Sequence, residues 1–277
     1  DNPIADTGFG VRTYDDRGAY ESQTGTGGTM PTVTTEAVTS IGTNTATGNG
    51  TITNLGTPNP YQYGVVWDTA ANPTIALATK TTQGAVAATG AFTSNITGLT
   101  PGTLYHVRAY ATNTTGTAYG ADVSFAPTSI SVGTSGSPSV YGSSVTFTAT
   151  VLPATATGTV TFYDGATVLG TGTLTSGTAT FSTSTLNVSG SPHSITTSYA
   201  GSGIYGSSTS SAISQTVNPA TLTYTADAVS RSYGTANPAF TGTVTGFIAP
   251  DTQASATTGT LAFTSTATIA SNAGSYP

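Results

Sequence analysis

The stretch from Gly98 to Asn113, GLTPGTLYHVRAYATN, places a histidine and an arginine two positions apart. His106 is one of only two histidines in the chain, and histidine is the usual general base at neutral pH. Nucleophilic catalysis would also need a serine, threonine or cysteine beside that base and a third group to orient it. The other histidine, His193, lies far along the sequence in SGSPHSIT, where a turn leads into a strand. Alternation along YHVRAYA puts His106, Arg108 and Tyr110 on the face away from the core, so we expect solvent-facing scaffold residues here.

Paired carboxylates are a second source of chemistry, because they can hydrolyse a glycosidic bond or bind calcium. The acidic cluster of the chain is Asp15, Asp16 and Glu21 in VRTYDDRGAYES, and it lacks the D-x-D-x-D-G spacing of a calcium loop. Five other aspartates stand alone near turns, where a carboxylate often bonds its own backbone: Asp68, Asp122, Asp164, Asp227 and Asp251. We therefore predict no catalytic, cofactor-binding or metal site, and a protein that is not an enzyme.

Composition excludes several classes of partner. The 277 residues carry five basic and eleven acidic side chains, a net charge of −6. Five scattered cations cannot neutralise a phosphate backbone, so we expect no nucleic-acid binding. No apolar run approaches the roughly 20 residues that span a bilayer, so we expect no membrane insertion. The chain has no cysteine and thus no disulfide, and its DNPIADTG start has neither the charged nor the apolar region of a signal peptide.

The clear periodicity of the sequence is two residues, the period of a β-strand. In SVTFTATV, Val145, Phe147, Ala149 and Val151 face one side and threonines face the other. Similar runs recur between Gly, Asn, Asp and Pro turns, and we find no amphipathic helix. The pattern predicts an all-β protein of tandem antiparallel β-sandwiches joined by short linkers.

Composition and turns divide the chain into five parts. Residues 1–24 are the most densely charged part of the chain, with seven of its sixteen charged side chains, and 25–30 form a short flexible linker. A first module covers residues 31–127, a second module 128–217, and a third module 218–277. In the second module, Asp164–Gly165 supplies the residues that a tight hairpin turn prefers.

The first module resembles the fibronectin type III-like modules of secreted bacterial proteins. The resemblance is carried by YGVVWDTAANPTIA and by the LTPGTLYHVRAYATN block. It implies that Trp67 is a core residue and that Arg108 is a surface position. A tyrosine just after the LTPG turn is placed to form a tyrosine corner, in which its hydroxyl bonds back to the backbone. We therefore expect one packed core that includes Trp67, Leu99, Tyr105 and Val107.

The second and third modules resemble two other domains of bacterial surface proteins. YGSSVTFTATV and GTVTFYDGATVLGTGTL are similar to the bacterial immunoglobulin-like repeat domain, with Phe147 and Phe162 as expected core residues. YGTANPAFTGTVTGF, from Tyr233 to Phe247, is similar to the MBG-type β module, of which residues 218–277 form an incomplete copy. Residues 1–24 resemble the end of a right-handed parallel β-helix through DDRGAYES, which implies a capping role for Asp15 and Asp16.

These features predict a structural or adhesive segment of a secreted bacterial surface protein, acting as a rod-like spacer or fibre at the cell surface or outside the cell. Modules of about 95 residues are about 30–35 Å across, so three in line would extend for about 100 Å. The expected partners are other copies of the chain or neighbouring surface-protein modules.

Two alternatives remain open at this stage. The chain could be a subunit of a self-assembling extracellular filament, formed by strand exchange between incomplete end modules. The candidate assembly elements for that role are Tyr14, Ala19, Tyr20, Phe247 and Phe263. The chain could instead supply accessory modules to a polysaccharide-active enzyme, with glycans as partners and an exposed aromatic platform as its mark. The candidate members of that platform are Tyr61, Tyr63, Tyr110 and Tyr119.

Overall fold

A computed structural model describes residues 27–277, and it confirms the all-β fold that the sequence predicts. The first module has two antiparallel sheets, one in the order β1-β2-β4 and one in the order β3-β5-β6 with β7 also paired to β5. Its strands are β1 (Thr32–Thr39), β2 (Thr45–Asn54), β3 (Gln62–Asp68), β4 (Gly90–Thr97), β5 (Tyr105–Asn113), β6 (Gly116–Tyr119) and β7 (Val123–Phe125).

The two sheets of the first module approach closely where β2 carries glycine. Gly48 and Gly50 occupy inward positions of the alternating strand β2. A methyl group on Gly50 would come within 2.6 Å of the Phe92 ring and 2.7 Å of the Ala109 side chain. Gly50 is therefore required for this close packing, since real carbon atoms do not approach to that distance.

The outer face of the second sheet does not face water, contrary to the expectation from alternation. In β5 the pattern of alternate burial holds only at first, and the strand is buried on both faces from Ala109 onward. The covering loop, residues 69–89, lies across this face: Ile75 N–H donates to the Tyr119 hydroxyl (2.9 Å), and the Tyr110 hydroxyl donates to the Thr81 carbonyl (2.6 Å). Tyr110 is fully buried as a result, so its predicted exposure is wrong.

The second module is a sandwich of two main sheets with a small parallel pair at one end. One sheet has the order β13-β10-β8, and the other has the order β12-β11-β14-β15 with β16 also paired to β14. β9 and β17 pair in parallel. The strands are β8 (Ser129–Thr134), β9 (Ser139–Val140), β10 (Val145–Leu152), β11 (Thr159–Asp164), β12 (Thr167–Thr173), β13 (Thr178–Thr183), β14 (His193–Tyr199), β15 (Ser208–Thr209), β16 (Ile213–Gln215) and β17 (Val217–Asn218).

The core of the second module lies between these sheets. Phe147 on β10 and Phe162 on β11 are fully buried in one cluster with Ile195 and Tyr199 of β14. The inward residues of SVTFTATV are all buried, while the alternate threonines are half-buried or exposed. This is the arrangement of an antiparallel sheet with one face in the core.

The third module is different, because no residue between 219 and 277 is buried. It consists of a two-stranded sheet, β18 (Thr223–Ala226) with β19 (Gly242–Thr245), a short helix α1 (Gln253–Ala256) and irregular chain. A two-stranded sheet has too little apolar face to build a core alone. Across residues 27–277, no helix is long and apolar enough to span a bilayer.

Candidate functional site: the joints between the modules

The core residues predicted for the first module lie together between its sheets. Trp67, Leu99, Tyr105 and Val107 belong to one buried cluster, which also holds Phe125. The Thr100 N–H donates to the Tyr105 hydroxyl at 3.0 Å, which is the geometry of a tyrosine corner. Tyr105 also stacks on Phe125, with ring centroids 5.7 Å apart. These contacts fix the turn that precedes β5.

His106 and Arg108 make structural contacts, but they lie beneath the covering loop and not on the solvent-facing surface that the sequence predicts. The Nδ1 atom of His106 lies 2.9 Å from Asp122 Oδ2, and both side chains are only 19% exposed. The same carboxylate oxygen accepts a hydrogen bond from Asn72 N–H of the covering loop at 3.0 Å. Arg108 donates from Nε to the Gly120 carbonyl at 2.9 Å, and its guanidinium lies 4.6 Å from the Tyr119 ring centroid.

His193 has a similar arrangement in the second module. Its Nδ1 atom lies 2.6 Å from Asp164 Oδ2, and its Nε2 atom lies 2.8 Å from the Asn187 carbonyl oxygen. His193 is 5% exposed, so its buried side chain links β14 to β11 and to the loop that precedes β14. The prediction that Asp122 and Asp164 stand alone is wrong for both: their partner histidines are 16 and 29 residues away in the sequence, and only the folded chain brings them near. Within the described part of the chain, no three His, Asp or Glu side chains form a group that could hold a metal.

The aromatic residues proposed as a glycan platform do not form one surface. Tyr110 is buried, and Tyr63 packs edge-on against Phe92 with centroids 5.0 Å apart. Tyr119 lies under Arg108 and accepts the bond from the covering loop. Tyr61 is exposed, at 54%. The four tyrosines therefore lie in different surroundings and share no exposed face.

The first joint connects the first and second modules through Ala126, Pro127 and Thr128, which span the predicted boundary between residues 127 and 128. All three residues are buried. Ala126 N–H donates to the Ile204 carbonyl at 2.8 Å, and Gly206 N–H donates back to the Ala126 carbonyl at 2.9 Å. The segment is thus inserted beside the loop that follows β14, and a hydrogen-bonded insertion of this kind has little freedom to bend.

A second set of contacts at the first joint comes from Ile41, in the turn between β1 and β2. Ser207 N–H donates to the Ile41 carbonyl at 3.2 Å. Gly206 packs so closely on Ile41 that an added Cβ would overlap the Ile41 carbonyl oxygen. The Thr128 hydroxyl lies 2.9 Å from the Gly206 carbonyl oxygen and 2.8 Å from the Ser208 hydroxyl. Three backbone hydrogen bonds therefore join the modules: Ala126 to Ile204, Gly206 to Ala126 and Ser207 to Ile41. Each contributes about 0.5–1.5 kcal/mol to the stability of the joint.

The second joint connects the second and third modules. Ile248 of the third module packs on Gly142, where an added Cβ would overlap Ile248 Cγ2. The Asp251 carboxylate lies near the Tyr141 hydroxyl, and its negative charge, with a smaller contribution from burial, raises the pKa of Tyr141. Tyr141 N–H also donates to the Asn218 carbonyl at 2.8 Å. Both joints thus place an isoleucine of the neighbouring module on a glycine that follows a tyrosine.

Two of the candidate assembly elements lie in the third module. Phe247 and Phe263 are half-buried, and Phe263 packs on Gly242 of β19. Phe263 also lines a cleft with Tyr224, Val244 and Leu261. Tyr14, Ala19 and Tyr20, together with the β-helix-like segment at residues 1–24, lie outside the described residues.

Two family models match segments within the second and third modules. The bacterial Ig-like domain (group 3) family matches residues 131–218, and the MBG domain (YGX type) family matches residues 222–277. A search of curated proteins gives no match.

Solved structures give weaker likenesses over most of the chain. The fibronectin(III)-like modules of Clostridium thermocellum CbhA are 14% identical over 67% of this chain and 92% of their own, with a TM-score of 0.32. Extracellular domains 3–5 of Drosophila OTK are 16% identical, over 68% of this chain and 60% of theirs, with a TM-score of 0.31. The ectodomain of mouse nectin-like molecule 4 is 10% identical, over 69% of this chain and 65% of its own, with a TM-score of 0.26. The chain thus spans less than two thirds of the last two structures. Residues 131–218 are thus similar to a bacterial Ig-like domain and residues 222–277 to an MBG domain, two kinds of module that are typical of bacterial surface proteins.

Proposed function

We propose that the chain is a non-catalytic, rod-like spacer with a structural or adhesive role in a secreted bacterial surface protein. The observation that carries this proposal is the first joint. Ala126 and Thr128 have no exposed surface, although linker residues between independent domains are usually solvated. A spacer must keep the direction of one module fixed relative to the next, and a buried, hydrogen-bonded joint does so.

The surface of the chain also suits this role. Only 6% of its residues are charged, and threonine and serine occupy the outward positions of strands such as β10 and β13. A surface without large charged patches avoids nonspecific electrostatic attraction to other molecules. A spacer with such a surface would hold neighbouring modules of the parent protein apart without binding other molecules nonspecifically.

The test is the solution shape of the full chain with and without the first joint. In Gly206→Ala, the added methyl overlaps the Ile41 backbone and should separate the two modules without disturbing either core. Gly133→Ala is the matched control, because a Cβ at this β8 position meets nothing within 4 Å. Small-angle X-ray scattering should give the same extended profile for wild type and Gly133→Ala, and a broader range of shapes for Gly206→Ala. Identical flexible profiles for all three chains would reject the spacer role.

A filament subunit is a second candidate, favoured by the exposed third module. Tyr224 is 55% exposed on β18, and neither edge of the β18–β19 sheet is paired with another described strand. Such an edge can accept a strand from another copy. We expect light scattering and negative-stain imaging to show fibres if this occurs, and Val244→Lys should abolish them, because lysine on an edge strand opposes pairing. A wild-type chain that stays monomeric at high concentration would reject the filament.

A further inference from the structure

One turn occurs twice in the chain with the same conformation. The first copy is Tyr141-Gly142-Ser143 in the second module, and the other is Tyr233-Gly234-Thr235 in the third. Ser143 N–H donates to the Val140 carbonyl at 2.9 Å, and Thr235 N–H donates to the Ser232 carbonyl at 3.2 Å. Both glycines have φ of +82°, the value that a type II turn needs at its third position.

In the second module this turn is a docking surface. The short loop from Gly246 to Asp251, GFIAPD, places Ile248 on the bare backbone of Gly142 and Asp251 against the Tyr141 hydroxyl. The glycine therefore has two uses here. It permits the positive φ, and it leaves a flat site on which an aliphatic side chain can rest.

In the third module the same turn is uncovered. Tyr233 is 73% exposed, the largest exposure among the large apolar side chains described. A Cβ added to Gly234 would meet nothing within 4 Å. The Tyr233 turn thus has the same conformation as the Tyr141 turn, but no described side chain packs on its glycine.

A positive charge is fixed beside this free turn. Arg231 donates from Nε to Asn237 Oδ1 at 2.6 Å and from a terminal nitrogen to the Thr235 carbonyl at 2.9 Å. Its other terminal nitrogen donates to the Thr268 carbonyl. Arg231 is the only Lys or Arg residue after position 108, so an acidic loop would find its complement at this turn.

We propose that the Tyr233-Gly234-Thr235 turn is the docking site for another MBG-type module, which presents its own copy of the GFIAPD loop. The incoming isoleucine would rest on Gly234, and the incoming aspartate would face the Tyr233 hydroxyl and the Arg231 guanidinium. The occupant must come from a second module, because the loop of this one is already placed on Gly142. This proposal does not depend on the stiffness of the first joint. A flexible first joint would therefore reject the proposed spacer function but not the proposed docking site.

The direct test extends the full chain by a second copy of residues 219–277 after Pro277. The second copy carries Ala239→Ser at an exposed position, so that its peptides differ in mass from those of the first. Hydroxyl-radical footprinting should modify Tyr233 of the first copy several-fold more slowly than Tyr233 of the second. Ile248→Ser in the second copy should remove this protection, and Ile248→Ser in the first copy should not. Equal modification of both tyrosines would overturn the proposal.

A second experiment uses the unextended chain. Gly142→Val should displace Ile248 and free the GFIAPD loop to dock on Tyr233 of another copy. Sedimentation velocity should then show association that rises with concentration, while Gly142→Val with Tyr233→Ser stays monomeric. Association that Tyr233→Ser does not reduce points to the sheet edges instead, and it would contradict the proposed site, as would a monomeric Gly142→Val chain.

Discussion

Tyr110→Phe tests whether the covering loop is bound to the outer face of the first module. The Tyr110 hydroxyl donates to the Thr81 carbonyl at 2.6 Å and accepts from Gln62 Nε2 at 2.8 Å, and the side chain has no exposed surface. Each neutral hydrogen bond contributes about 1 kcal/mol, so loss of both should lower the free energy of unfolding of this module by about 2 kcal/mol. For a module of this size, such a loss lowers Tm by about 10 °C.

Trp67 makes the measurement specific to the first module. It is the only tryptophan in the chain and lies in the core of that module, so its fluorescence reports unfolding there and is silent about the other two. Tyr61→Phe is the matched control, since Tyr61 is 54% exposed. If Tyr110→Phe melts at the same temperature as Tyr61→Phe, the covering loop is not held by this hydroxyl and the reasoning fails.

Three further predictions concern other buried polar groups. Tyr105→Phe should lower the stability of the first module by about 1 kcal/mol, because the Thr100 N–H loses its partner but Thr100 can still reach water; an unchanged Trp67 melting curve would contradict the tyrosine corner. His193→Ala should destabilise the second module more than His106→Ala destabilises the first, because the His193 side chain is 4% exposed and that of His106 is 19% exposed; equal effects in urea denaturation followed by NMR would contradict this ranking. Burial raises the pKa of Tyr199, whose hydroxyl donates to the Thr157 carbonyl at 2.7 Å, so the unfolded chain loses this proton first and the second module should lose stability as pH rises above about 10. The Tyr199→Phe chain should show a smaller loss over the same pH range, and an identical loss would assign it to other groups.

Local sequence patterns predict the strands well and the surfaces between elements poorly. In β10 the alternate residues Val145 to Val151 are inward as expected, because both neighbours of this strand are sheet partners and its outer face stays open. In β5 the same rule fails at Tyr110, because what covers that face is a loop some 30 residues earlier in the chain. Periodicity describes the two faces of a strand but not what later packs on them.

The joints show the same limit. Ala126-Pro127-Thr128 has the composition of a linker, and nothing in these residues reveals that Ile41 and Gly206 meet beside them. Of the five Tyr-Gly pairs in the sequence, at 63, 119, 141, 205 and 233, only two form the joints that the structure describes, so the pair by itself does not identify a joint. The His–Asp pairs offered no local signal, because each depends on the register of two strands or of a strand and a loop.

A distance measurement across the first joint tests the central claim most directly. The chain has no cysteine, so spin labels can be placed at Thr93→Cys on β4 and Thr180→Cys on β13, both exposed positions in different modules. Pulsed electron paramagnetic resonance on the full chain should give one narrow distance distribution, which Gly206→Ala broadens and Gly133→Ala leaves unchanged. A broad distribution in the wild-type chain would show that the modules reorient freely, and it would contradict the account of this protein as a rod.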